Sequence, residues 1–143
     1  MARKLGRYFR FKIGNGSSPE TFTEPAGQTG LTLNGATNMI DQSSKDDYPW
    51  TIKAPGRSDL SIQVSGKTQL PDASGLEIVY SNFLAGTAVN CQVCETDASP
   101  DATRLVASMY ISDFSEDGSD EDNRTYSFTA TLAATPTTDD LTP

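Results

Sequence analysis

Apolar and polar residues alternate along most of this chain, and that alternation sets the first expectations. Near the start, Phe9, Phe11 and Ile13 alternate with Tyr8, Arg10 and Lys12. The same period returns at Leu60, Ile62 and Val64, at Val89, Cys91 and Val93, and at Leu105, Ala107, Met109 and Ile111. It returns once more at Tyr126, Phe128, Ala130 and Leu132, while 21–23 and 31–33 suggest shorter strands. A period of two turns one side of each strand toward a core and the other away, as in half-buried antiparallel sheets.

One segment breaks the period. After Pro71 and Asp72, the apolar residues Ala73, Leu76, Val79, Tyr80, Phe83 and Leu84 fall at helical spacing. Asp72 is placed to cap such a helix and Gly86 to stop it, which predicts one amphipathic helix at about 72–85. The chain reads as mainly β, an antiparallel β-sandwich or open barrel of six to eight strands with one flanking α-helix.

Composition changes this picture in one respect. Leu, Ile, Val and Phe make up 27 of 143 residues and the net charge is −8, close to the composition at which chains stop folding alone. The regular alternation argues for a fold, so the thin core implies stability gained by assembly with further copies.

Charge is unevenly placed. Arg3, Lys4, Arg7, Arg10 and Lys12 supply five of the eleven basic residues, and all nineteen acids follow from Glu20 onward. The acidic body should repel the phosphates of DNA, which are bound by clustered Lys and Arg. The basic start is expected to act as an arm that salt-bridges acidic neighbours. No apolar run approaches membrane-spanning length and no signal-peptide core follows the basic start, so no membrane contact is expected.

Candidate chemistry is sparse. Cys91 and Cys94 form a CxxC, but the chain has no histidine and no other cysteine to complete a zinc site. On a strand the two thiols face opposite ways, roughly 10 Å apart, beyond disulfide reach. They read as structural. Without histidine there is no Ser-His or Cys-His pair. The GNGSS at 14–18 lacks the Lys and helix of a phosphate loop. The run DFSEDGSDEDN at 113–123 packs six acids into a hairpin tip, at spacing unlike a calcium loop. No enzyme, cofactor or metal site is expected. The outward positions Ser61, Gln63 and Ser65, Asn90 and Gln92, and Thr125, Ser127, Thr129 and Thr131 are small and neutral. Composition leaves them open, as a solvated face or as a smooth hydrophilic wall.

The stretch NMIDQSSKDDYPWTIKAPGR at 38–57 is polar, carries two prolines and holds the only tryptophan, Trp50. With its flanks, GLTLNGATNMIDQSSKDDYPWTIKAPGRSDLSIQVSG, it resembles the siphophage tail tube proteins (major tail proteins). The matching features are Asp41, then Ser43-Ser44-Lys45, Trp50, the turn Pro55-Gly56-Arg57, and an alternating strand from Leu60 to Ser65-Gly66. The resemblance covers about residues 8–133. The CQVC pair, the long acidic tip and the TPTTDDLTP tail depart from it.

The resemblance implies a tail tube domain over 1–133 and a flexible C-terminal tail over 134–143. Within the domain it implies a basic arm and strand at 1–13, a long inter-ring loop at about 36–57, the helix, and the acidic tip. Hexameric rings would stack into a tube whose inner wall is an oligomeric β-barrel, the conduit for DNA ejection. Asp41, Lys45, Asp46, Asp47, Trp50 and Arg57 would form the inter-ring loop. Gln63, Ser65, Asn90, Thr125, Ser127 and Thr129 would face the lumen. Implied partners are the chain itself, tail-terminator and tail-tip proteins, the tape measure protein during assembly, and genomic DNA passing without specific binding. The place of action would be the virion tail, assembled in the host cytoplasm. Two other readings compete: a neck or tail-completion protein that forms one ring, and a monomeric β-sandwich that binds carbohydrate through exposed aromatics such as Tyr8 and Tyr110.

Overall fold

The computed structural model describes residues 3–97 and 100–141. Eight strands and one helix are present: β1 (Phe9–Gly14), β2 (Phe22–Thr23), β3 (Gln28–Asp41), β4 (Lys53–Lys67), α1 (Leu76–Ala85), β5 (Val89–Glu95), β6 (Ala102–Asp117), β7 (Thr125–Leu132) and β8 (Thr138–Asp139). They form one antiparallel sheet in the order β2-β1-β5-β6-β7-β4-β3, with β8 added beside β6. The sheet curls so that its two halves face each other, and Phe11 of β1 meets Phe128 of β7 edge to face at 5.4 Å. At one end the Gln28 side chain bridges β1 and β3. Its oxygen accepts the Phe11 N–H at 2.9 Å and its amide donates to the Phe11 carbonyl at 3.2 Å.

The alternation predicts the core accurately. Phe11, Ile13, Ile62, Val64, Val93, Leu105, Met109, Phe128 and Ala130 are buried, and no polar or charged residue is buried with them among the described residues. The helix covers this core through Leu76 and Val79. Asp72 anchors its start. One carboxylate oxygen accepts the N–H groups of Leu76 at 3.0 Å and Ala26 at 2.9 Å, and Glu77 reaches back to the Asp72 N–H at 3.0 Å. Gly86 stops the helix in the left-handed region at φ 68°, a conformation that glycine adopts without a Cβ clash.

Four expectations need correction. The helix begins at Leu76, with 72–75 forming the turn that caps it. The loop expected at 36–57 is mostly strand, since pairing continues through Ala36↔Asp59 to Asp41↔Lys53 and leaves only 42–52 as connection. Pro49 lies in that connection, but Pro55 lies on a strand that has no neighbour on its other side at that level, where a missing donor costs little. The acidic tip expected at 113–123 likewise shortens, because β6 runs on to Asp117 and pairs with β7. The tail expected to be flexible returns to the sheet: β8 pairs with Leu105 and Val106, and Arg104 forms an ion pair with Asp139. Residues 142–143 of that tail and residues 1–2 of the arm lie outside the described residues.

Candidate assembly surfaces

The first open surface is the polar face of the four strands β6, β7, β4 and β3. Residues directly opposed in an antiparallel pair share a face. The pairs Gln63↔Thr129, Ser65↔Ser127 and Lys67↔Thr125 join β4 to β7. Asp113↔Thr129, Ser115↔Ser127 and Asp117↔Thr125 extend the same face onto β6, and Thr32↔Gln63 extends it onto β3. Five of the expected wall residues, Gln63, Ser65, Thr125, Ser127 and Thr129, are therefore brought together. Asn90 is not. It lies on β5 in the other half of the curled sheet, where its amide donates to Glu20 at 2.7 Å. Hydroxyls tie the polar face laterally, as where Ser115 and Ser127 meet at 2.6 Å. Asp113 and Asp117 lie on this face although the acidic run around them has the composition of a turn.

The edges of this four-stranded unit are open. β3 is the last strand in the sheet. Over Gln28–Ile40 it carries no Lys, Arg, Asp, Glu or Pro, the residues that usually guard an exposed edge. At the other side, Met109 of β6 pairs with both Val89 and Leu132, so β5 and β7 flank it. From Tyr110 to Asp117 β5 has ended and β7 is the only strand partner. Because each neighbour is antiparallel, the two open edges run in opposite directions.

The third surface is the far end of the β3–β4 hairpin. Met39, Ile40, Tyr48, Trp50 and Ile52 are exposed there, Tyr48 at 86% and Trp50 at 74%. The connection is nonetheless well built. Ser43 donates its N–H to Asp41 at 2.8 Å, and its hydroxyl accepts the Ile52 N–H at 2.6 Å. Ser44 and Asp47 form a reciprocal cap around a 3-10 turn at Lys45–Asp47, and the Trp50 N–H donates to the Asp47 carbonyl at 2.8 Å. Asp41 and Asp47 thus shape the loop, and the Ser43 N–H holds the Asp41 carboxyl below its ordinary pKa. Lys45, Asp46 and Trp50 point outward. Arg57 stands apart from them at a bulge in β4.

Three of the five bases near the N-terminus form ion pairs within the chain. Lys4 pairs with Glu95 and Asp97, Arg10 with Glu24, and Lys12 with Asp101. Cys91 and Cys94 are free thiols; Cys91 contacts the Val89 carbonyl and Cys94 the Gln92 side chain, so they point to opposite sides. Burial pushes the Cys91 thiol up to about 12. Tyr8 and Tyr110 form no shared platform. Through Phe9↔Glu95 and Glu95↔Ala102, Tyr8 lies beside the start of β6, and Tyr110 is eight residues further on, roughly 27 Å away.

A bare polar face, two open strand edges and an apolar projection define a building block of a larger β assembly. The chain belongs to the phage tail tube proteins, whose family matches residues 5–138. No curated protein sequence matches it. Among solved structures it is similar to a chain from the tail of an empty gene transfer agent particle with C6 symmetry (TM-score 0.79, 18% identity, 94% of this chain and 97% of that one). It is also similar to a chain of the native gene transfer agent virion (TM-score 0.76, 18% identity, 94% and 97%). The SPP1 tail tube gives a TM-score of 0.72 at 12% identity, over 92% of this chain and 77% of that one.

Proposed function

We propose that this chain is the repeating structural subunit of a phage tail tube, acting in the virion as the conduit for DNA ejection. Six copies form a ring by pairing the open edge of β3 with the open edge of β6 of the next subunit. The opposite strand directions keep every junction antiparallel. Four strands from each of six copies give a wall of about 24 strands, beyond the ~16–18 at which barrels hold an aqueous channel. The polar face lines that channel. Its hydroxyls and amides, with Asp113 and Asp117 outnumbering the one base on the paired positions, Lys67, present no continuous basic track to which phosphates would adhere. The role is mechanical and involves no catalysis.

The observation that carries this reading is the pair of open edges, running in opposite directions, that flank one polar face. The exposed hairpin tip favours a stacked tube over a single neck ring, because a lone ring leaves those apolar side chains in water. The ends of the tube would offer the same surfaces to tail-terminator and tip proteins, and the lumen would hold the tape measure protein during assembly.

Placing lysines at Ser127 and Thr129 tests the wall. Assembled tubes should persist, since a solvated face tolerates a long polar side chain. They should retain DNA at low salt and release it steeply as salt rises, because each neutralised phosphate releases counterion. Normal tubes that retain no DNA would show that this face does not line the channel.

A further inference from the structure

We infer that the hairpin tip of one subunit, led by Tyr48 and Trp50, seats in a pocket beside α1 of a second copy of the chain in the next ring. This rests on the tube reading and names the surface that receives the tip. The pocket is formed by Leu70, Leu76, Tyr80 and Phe114, with Glu77 and Glu116 at its rim, and has a volume of about 190 Å³. That is below the ~300–1,000 Å³ of small-molecule sites and on the scale of one aromatic side chain. The apolar stripe of α1 is wider than the core needs. Leu76 and Val79 are buried, whereas Tyr80 and Leu84, one turn apart, remain exposed, as does Leu70.

Position favours this pairing. The tip precedes β4 at Lys53, and the pocket lies at the other end of β4. Leu70 follows Lys67 by three residues, and Phe114 and Glu116 sit across from Phe128 and Tyr126, which face Val64 and Gly66. Tip and pocket are separated by the length of Lys53–Lys67, about 46 Å of strand. A knob at one pole and a hole at the other make a head-to-tail contact that does not close on itself and so repeats without limit. The larger groove of about 670 Å³ lies at the hairpin's own root, between Gly35–Thr37 and Leu132–Pro136. A head-to-tail neighbour presents its lower pole to the tip before that groove.

Charge constrains the pose: the tip carries Asp41, Asp46 and Asp47 against the single base Lys45, so Lys45 is the group that must face the acidic pole. Asp120, Glu121 and Asp122 lie at the pocket's pole with Glu77 and Glu116, and the one base in that β6–β7 connection, Arg124, pairs with Glu116. Lys45 and Arg57 on the hairpin form no ion pair among the described residues. The capped turn holds Trp50 in place before contact, which lowers the ordering cost of docking.

Cross-linking in assembled tubes tests the contact while leaving Trp50 and the pocket's apolar lining intact. Thr51→Cys combined with Ser81→Cys should give a covalent ladder on mild oxidation, and neither single variant should. Cys91 and Cys94 are buried and take no part. Leu70→Asp should leave folded rings but weaken stacking at least tenfold. Tubes of the double variant that stay uncross-linked, or a ladder formed instead by Thr51→Cys with Ala134→Cys at the root groove, would overturn the inference. A wild-type protein that forms no tubes would overturn the tube reading itself, and this inference with it.

Discussion

The two halves of the β3–β4 hairpin both carry apolar residues, and those residues have opposite fates. In the basal half, Ile62 and Val64 are fully buried, and Leu31, Leu33 and Leu60 pack partly against the same core. In the distal half, Met39 and Ile40 are adjacent and so lie on opposite faces, and both are about half exposed. Their neighbours Tyr48, Trp50 and Ile52 are also exposed. The strands are continuous across the boundary. What changes is lateral support, since β7 pairs with β4 only from Ser61 to Lys67. Beyond Leu60 β4 has no strand neighbour other than β3 among the described residues. Apolar residues on the basal half stabilise the subunit, and those on the distal half are free to stabilise the assembly.

A matched pair of substitutions breaks this comparison most directly. Ile62→Ala removes a fully buried side chain and should cost about 2–5 kcal/mol of subunit stability, read by chemical denaturation. Ile40→Ala, on the exposed half, should change it by less than about 0.5 kcal/mol. Equal losses at both positions would mean that the distal half is packed in the free subunit.

Trp50→Ala should act in the reverse sense. Subunit stability should stay near wild type, while stacking weakens by about 2 kcal/mol or more, roughly thirtyfold in affinity. Sedimentation across a concentration series reads this. Undiminished stacking would remove Trp50 from the ring-to-ring contact.

Alkali sharpens the contrast from the core side. The Cys91 thiol is raised by burial from 9.0 to about 12, and the Tyr126 phenol by burial and the nearby Asp72 charge from 10.0 to about 12. Both are neutral in the fold and ionise earlier in the unfolded chain. The unfolded state therefore loses protons first, and stability falls as pH rises from about 9 toward 12. Each group contributes up to about 1.4 kcal/mol per pH unit. In Cys91→Ala the decline between pH 9 and 10 should flatten; an unchanged slope would place the effect elsewhere.

The smallest effect concerns the shape of the tip. Asp47→Ala removes the cap shared with Ser44 and should loosen the turn by about 1 kcal/mol. It should raise the concentration needed for stacking several-fold without shifting the melting temperature.

Much of the fold was legible because period-two patterning is a local consequence of burial. Phe11, Ile13, Ile62, Val64, Met109 and Phe128 declared themselves in this way. The distal hairpin did not, because Asn38, Gln42 and the two prolines resemble loop chemistry, and only long-range pairing reveals the strands beneath. The acidic run concealed Asp113 and Asp117 for the same reason. Asn90 was grouped with the wall because alternation gives a side of a strand but not the half of a curled sheet to which that strand belongs. The pocket beside α1 combines Leu70, the helix and β6, three segments distant in sequence, and no local pattern could have joined them.

The central claim is that the body closes the ring and the distal hairpin stacks it. Replacing residues 42–52 by Asn-Gly would join Asp41 to Lys53 through a two-residue turn that suits their register. Electron microscopy of that variant is the most direct measurement. Folded hexameric rings that do not stack are the predicted result. Tubes as long as those of the wild type would contradict it.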